Sequence, residues 1–378
     1  MENNFGKNLV NFLVIVGLAV AAGAAGAAVI VRSATSNSEV VIVGNQNAPA
    51  AEPAKSSADL GAVGETQRDT VRFYRARPGT GLDGVFLPSD LAGEGVTLTS
   101  DGWVMSAAGV FAGPNQLVAV FADNVSATVP LSAVVKDDAT GLAFVRLELD
   151  HLAVAAFGDD TALSPGETVY APTGDGLGAY PVLAVRELPV SARADLVESS
   201  EKLSRRLMLA DANPPPGAPV IDPSGKVVAV YAGAGAAVPA PYFTGALDGL
   251  FRDRKIIRPV LGARYLSLAD AAASPAAGLA SAGALITSGG KNRAVAAGSP
   301  AEAAGLREGD VIIAVERDRI EKATPLAELI SEYDPGAKLE LTVMRAGSQI
   351  KTSVTLSALQ IICRPIRITE RSSWENGN

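Results

Sequence analysis

The chain contains one histidine, His151, and one cysteine, Cys363, and these two counts limit its chemistry before any fold is considered. A hydroxyl nucleophile needs a neighbouring base of near-neutral pKa, usually an imidazole, so Ser-His-Asp machinery would have to run through His151. That residue follows Leu147-Glu148-Leu149-Asp150 and precedes Leu152-Ala153-Val154, which reads as a solvated connection after a strand. A single cysteine rules out an internal disulfide framework and any cysteine-based zinc site. A serine–lysine pair, Ser224 with Lys226, lies in Asp222-Pro223-Ser224-Gly225-Lys226, a string with the composition of a tight turn. The adjacent acids Asp159-Asp160 have no histidine or further acids at ligand spacing and also read as a turn, so neither metal nor cofactor is expected. A net charge of −8 with no Lys/Arg cluster argues against a nucleic-acid partner.

The elements around these residues divide the chain into five stretches. With 378 residues it is long enough for two to three domains. Leu9–Val31 is apolar apart from Asn11 and, at about 1.5 Å per residue, would span roughly 34 Å as a helix, enough for a bilayer core. Residues 1–32 are therefore expected to be a transmembrane anchor. A cleaved signal peptide is the competing reading, given the small residues at Ala21–Ala28. Residues 33–70, rich in Ser, Ala, Asn, Pro and Glu, read as a flexible spacer. Residues 71–254 show short apolar, β-branched runs punctuated by turns, which predicts a sandwich or a pair of barrels. The runs include Trp103–Ser106, Leu117–Phe121, Ala143–Leu147, Thr168–Ala171, Val182–Arg186 and Val227–Tyr231.

Residues 258–357 change character. Ser299-Pro300 is a helix N-cap followed by proline at the first helical position, and Gly305 closes that helix. Thr324-Pro325 opens another, with Leu326, Leu329, Ile330 and Tyr333 on one face. Leu339, Leu341 and Val343 alternate with polar residues as in a half-buried strand. This is a small α+β domain. In the remaining tail, 358–378, Gln360–Ile368 could add one more strand, while the end is polar.

Gly298–Ile312, Gly-Ser-Pro-Ala-Glu-Ala-Ala-Gly-Leu-Arg-Glu-Gly-Asp-Val-Ile, resembles the signature of a bacterial PDZ domain, and Val260-Leu261-Gly262-Ala263 resembles its carboxylate-binding loop. A β domain followed by one PDZ domain is the order of the HtrA/Deg proteases, and three motifs of that family are similar to stretches of this chain. Asp101-Gly102-Trp103-Val104-Met105-Ser106-Ala107-Ala108-Gly109-Val110 resembles the histidine motif, with Gly109 at the histidine. Asp137 through Thr140-Gly141-Leu142-Ala143-Phe144-Val145-Arg146 resembles the aspartate motif, with Gly141 at the aspartate. Asp211–Val220 resembles the nucleophile loop, with Pro216 at the serine. In the family the oxyanion hole uses the N–H groups of the serine and of the residue two before it. Here these positions are Pro216 and Pro214, neither of which has an N–H.

The resemblance implies a mostly β fold, a degenerate trypsin-like double β-barrel followed by PDZ. It also implies a homologue without protease chemistry that binds or scaffolds through its PDZ domain. An active serine endopeptidase with an unrecognised nucleophile and base is the alternative. PDZ domains take a peptide C-terminus as an added strand, so protein C-termini or unfolded peptides are the expected partners. Val260, Leu261, Gly262 and Ala263 would hold the carboxylate, and Leu326, Leu329 and Ile330 would line the groove. By analogy with the family, a homo- or hetero-trimer is expected. The anchor implies a single-pass membrane protein with its folded domains outside the cytoplasm.

Overall fold

The computed structural model describes residues 68–77, 84–113, 115–173, 176–270, 282–290 and 293–361, of which 193, 194 and 359–361 are described by their backbone only. The expected span Leu9–Val31, nearly all of the expected spacer, and the tail beyond 361 with Cys363 lie outside these residues. No helix among the described residues is long and apolar enough to cross a membrane.

The first seven strands are β1 (Thr70–Arg75), β2 (Leu91–Thr97), β3 (Trp103–Ala107), β4 (Leu117–Phe121), β5 (Ser126–Thr128), β6 (Val135–Asp137) and β7 (Leu142–Arg146). They form one antiparallel sheet in the order β5-β4-β1-β2-β3-β7-β6. Its inner face packs Val71, Phe73, Val104, Phe111, Ala119 and Val145 into one cluster. The next strands are β8 (Thr168–Thr173), β9 (Gly176–Glu187), β10 (Val197–Ser199), β11 (Arg206–Leu209), β12 (Pro219–Ile221), β13 (Val227–Gly233) and β14 (Ala236–Pro239). Six of them, β11-β14-β13-β12-β8-β9, close into a barrel around Val169, Leu207, Val220 and Tyr231. The double barrel of the expectation is therefore one closed barrel beside one seven-stranded sheet. β10 belongs to neither.

Two short helices, α1 (Pro241–Thr244) and α2 (Leu247–Asp253), lead out of the barrel. The second half then contains β15 (Ile256–Val260), β16 (Arg264–Ser267), β17 (Ala284–Ile286), α3 (Pro300–Ala303), β18 (Val311–Val315), β19 (Asp318–Arg319), α4 (Leu326–Ser331), β20 (Lys338–Arg345), β21 (Ser348–Thr355) and β22 (Ser357–Ile361). As the sequence predicts, the Ser299 side chain accepts the Glu302 N–H at 3.2 Å, and Gly305 follows α3 at φ +73°. Helix α4 begins at Leu326, because Pro325 stays extended as its N-cap. In β20, Leu339, Leu341 and Val343 are buried while Lys338 is exposed. β22 pairs with β15 from Val260↔Ser357 to Ile256↔Ile361, so the extra strand of the tail starts three residues earlier than the sequence suggests.

One apolar cluster runs without a break across these parts. It includes Val96, Met105 and Phe144 of the first sheet, Phe243 and Leu250 of the two connecting helices, and Leu261, Ile312, Leu326 and Leu341 of the second half. A shared core of this kind opposes the relative domain motion that a small polar interface would permit.

Candidate functional site

Three turns meet at the seam between sheet and barrel. β3 pairs with β7 up to Ala107↔Leu142, and one residue further the Ala108 N–H donates to the Gly141 carbonyl at 2.9 Å. This places the Gly109 turn beside the Gly141 turn. The loop before β12 closes on the neighbouring β2: the Glu94 N–H donates to the Pro216 carbonyl at 2.8 Å. Gly217 has φ +88°, and a Cβ there would stand 2.0 Å from both Glu94 O and Ser106 Oγ, so only glycine lets the loop seat this deeply. Its N–H is spent on the Tyr231 carbonyl at 2.7 Å, and the Tyr231 hydroxyl donates to Ala212 O at 2.7 Å. Gly109, Gly141 and Pro216 are all exposed at this seam. They are brought together with no hydroxyl, imidazole or carboxylate among them.

The other sequence candidates resolve as local structure. His151 is exposed in a left-handed turn at φ +62°. The Ser224 hydroxyl donates to Asp222 Oδ1 at 2.7 Å, and the same oxygen accepts the Ser224 and Lys226 N–H groups, which makes this an Asx-type turn. Asp159 caps a 3-10 turn by accepting from the Thr161 N–H at 2.9 Å. Asp160 is fully buried and takes two hydrogen bonds of 3.0 Å from the Arg186 guanidinium.

One buried acid beside the cleft has no role in any of the motifs. Glu94 is completely buried and pairs with Arg72 at 3.4 Å, and neither carboxylate oxygen has a well-aligned hydrogen bond among the described residues. Burial outweighs the arginine and pushes its carboxyl from 4.5 up to about 7. The folded state thus binds this proton more tightly than the unfolded chain. The stability it contributes is complete below about pH 4.5 and is lost as pH rises through about 7. Glu94→Gln is therefore expected to raise the melting temperature at pH 8 and to change it little at pH 4.5. The contribution is on the order of 1–3 kcal/mol across that interval, measured as urea midpoints against pH. A variant whose effect is the same at both pH values would show that Glu94 is not the titrating group.

In the second half, Gly262 has φ +85° and packs so closely on the start of α3 that a Cβ would meet the Ser299 Cβ at 2.3 Å. The loop Val260–Ala263 is thereby fixed, with Leu261 and Ala263 buried and Val260 half-buried. Leu326, Leu329 and Ile330 are buried in the continuous core. Ala327 and Ser331 of α4 line a residual space of about 10 Å³ with Ser200, Glu201, Leu203, Arg258 and Pro259. Residues 200 and 201 come from the connection between β9 and β11. Sequence reasoning gave them no role, because Val-Glu-Ser-Ser-Glu carries neither a motif nor a strong strand pattern.

Three buried ion-pair clusters join the two halves. Arg258 before the loop donates to Asp137 Oδ2 at 2.6 Å and to the Tyr242 carbonyl at 2.9 Å. Arg186 reaches Asp160 and, at 3.1 Å, Glu328 on α4, whose other oxygen accepts from the Tyr242 hydroxyl. Arg205 lies between Glu198 at 3.6 Å and Asp270 at 2.5 Å.

Comparison with known proteins agrees with this layout. Residues 93–230 match the trypsin-like peptidase domain family and residues 259–356 match the PDZ domain family. A probable periplasmic serine endoprotease, DegP-like, of Chlamydia trachomatis is 26% identical over 279 residues, covering 71% of this chain and 54% of that protein. The serine protease Do-like HtrA of Bacillus subtilis is 29% identical over 238 residues, 58% of this chain and 53% of that protein. The chain thus spans about half the length of these curated relatives. The solved structure of the HtrA-type protease AlgW with a decapeptide superposes with a TM-score of 0.57 at 18% identity, over 80% of this chain and 99% of that one, a likeness of fold. Residues 93–356 are a trypsin-like peptidase domain followed by a PDZ domain, and the chain is a relative of the HtrA-type serine proteases.

Proposed function

We propose that the protein is a catalytically silent HtrA-type homologue that works by recognition, with its PDZ domain taking free protein C-termini. The observation that carries this reading is the loop Pro214-Pro215-Pro216, which has no hydroxyl and no N–H to offer a substrate carbonyl and stands at the seam where Gly109 and Gly141 supply no side chain. The C. trachomatis relative is named periplasmic, and AlgW was solved with bound peptides. Both support an envelope setting and a peptide ligand here. Anchoring through Leu9–Val31 and trimeric assembly complete the proposal.

The relatives' names favour a working serine protease as the second reading. A serine-directed fluorophosphonate probe and labelled casein separate the two. The expected result is no covalent adduct and no casein cleavage above the rate of heat-denatured protein. A stoichiometric adduct would identify a nucleophile outside the three turns and end the silent reading.

A further inference from the structure

A peptide joins a PDZ domain as a strand on the edge beside its carboxylate loop, so that edge must be free. Here the strand after the loop is β16, and both of its edges are taken. One pairs with β17 (Tyr265↔Ile286) and the other with β10 (Glu198↔Tyr265). β10 runs antiparallel to β16, from Val197 opposite Leu266 to Ser199 opposite Arg264, and so heads toward the loop. There the Ser200 N–H donates to Ala263 O at 2.9 Å, and the Ala263 N–H donates to Ser200 Oγ at 3.0 Å. The Gly262 N–H donates to Glu201 Oε1 at 2.6 Å. A side-chain carboxylate thus sits on the loop that would hold a terminal one. Beyond it, the Leu203 N–H donates to Ala139 O at 2.9 Å, which returns the chain to the first sheet. Ser200 is buried, and the space that Ser200 and Glu201 share with Arg258-Pro259, just before the loop, and with Ala327 and Ser331 of α4 is about 10 Å³, room for no more than one water.

We propose that Val197–Glu201 is a built-in ligand of the PDZ groove, which closes the protein to free C-termini until the segment is displaced. The proposal rests on the PDZ domain being the recognition module. The segment is tethered at both ends, by β9 and by β11, so it competes at high effective concentration. A free peptide sees only the open fraction of molecules, and its apparent affinity falls by that fraction. Displacement also frees Glu201 from Gly262 and moves Glu198 away from Arg205, so occupancy of the groove is read directly by the barrel's β9–β11 connection.

The test uses the full chain in three forms and a pool of fluorescent octapeptides with random sequence and free C-termini, read by anisotropy. Ser200→Pro with Glu201→Ala removes the N–H given to Ala263 and the carboxylate held by Gly262. Ser199→Cys with Arg264→Cys, in a Cys363→Ser background, places a cross-link across an opposed pair of strand residues. The opened variant is expected to bind the pool at least about tenfold more tightly than the intact chain, with binding lost when the peptides are amidated. The cross-linked form is expected to bind only after reduction. Equal binding by intact and opened chains, or binding unaffected by the cross-link, would overturn the proposal. If no form binds, amide exchange decides. Slow exchange at 197–201 that becomes fast in the opened variant supports the segment as occupant, while the peptide-recognition reading fails. Fast exchange there in the intact chain overturns the proposal.

Discussion

Installing histidine, aspartate and serine at the three turns that resemble the family's motifs, Gly109→His, Gly141→Asp and Pro216→Ser, is expected to leave proteolysis at or near background. Further replacement of Pro214→Gly and Pro215→Asn is expected to raise it by about 100-fold or more. The triple variant should fold. A Cβ at 109 or 141 would meet no atom within 4 Å, and Pro216 is exposed. Aspartate at 141 must adopt φ +82°, at a cost of roughly 1–2 kcal/mol, which a protein with a shared core can bear. The silence of the triple variant would come from the loop. Serine at 216 regains an N–H, but position 214 still presents a proline, and losing one oxyanion donor costs about 10²–10³ in rate. Three prolines in sequence also restrict the turn to φ near −65°, whereas an attacking hydroxyl must be aimed. Casein hydrolysis and fluorophosphonate labelling on the same preparations provide the measurement. A triple variant as active as the five-fold variant would mean that only the side chains are missing and the loop is still a competent oxyanion site.

What was legible in the sequence was local. The alternation of Leu339, Leu341 and Val343, the Ser299-Pro300 cap and the strand Leu117–Phe121 each depend on neighbours a few residues away, and each appears where the pattern puts it. The three turns that resemble the family's motifs were legible as strings, and their convergence follows from β3 pairing with β7 and from the Pro216 loop seating on β2. The partners of β10 and Arg258 could not be read. Val197-Glu198-Ser199 becomes a strand only because β16, more than sixty residues later, has an edge to fill, and no local propensity encodes that. The same holds for closure. Strand patterns predicted β segments in both halves of the first domain, yet whether a sheet meets its own first strand depends on ladders between distant strands.

Arg258 marks the domain boundary in the sequence as Arg-Pro, but in the fold it is a structural joint. Arg258→Ala is therefore expected to cost about 3–5 kcal/mol and to lower the melting temperature by about 10 °C. Asp137 is completely buried; besides Arg258 its carboxylate has, among the described residues, the Thr140 hydroxyl at 2.9 Å and the Ala139 N–H at 3.2 Å. Removing the guanidinium leaves a carboxylate in the core with its charge uncompensated. It also leaves the Tyr242 carbonyl without the donor that stands 2.9 Å away. Most of the loss should come from the stranded charge and not from the contact itself. The companion variant Asp137→Asn with Arg258→Leu is accordingly expected to recover more than half of it. Urea denaturation of Arg258→Leu, Asp137→Asn and their double completes the cycle, with Arg258→Ala measured beside them. If Arg258→Ala lost less than about 1 kcal/mol, water would have to reach Asp137 at little cost, and the continuous core across the domains would be looser than its packing indicates.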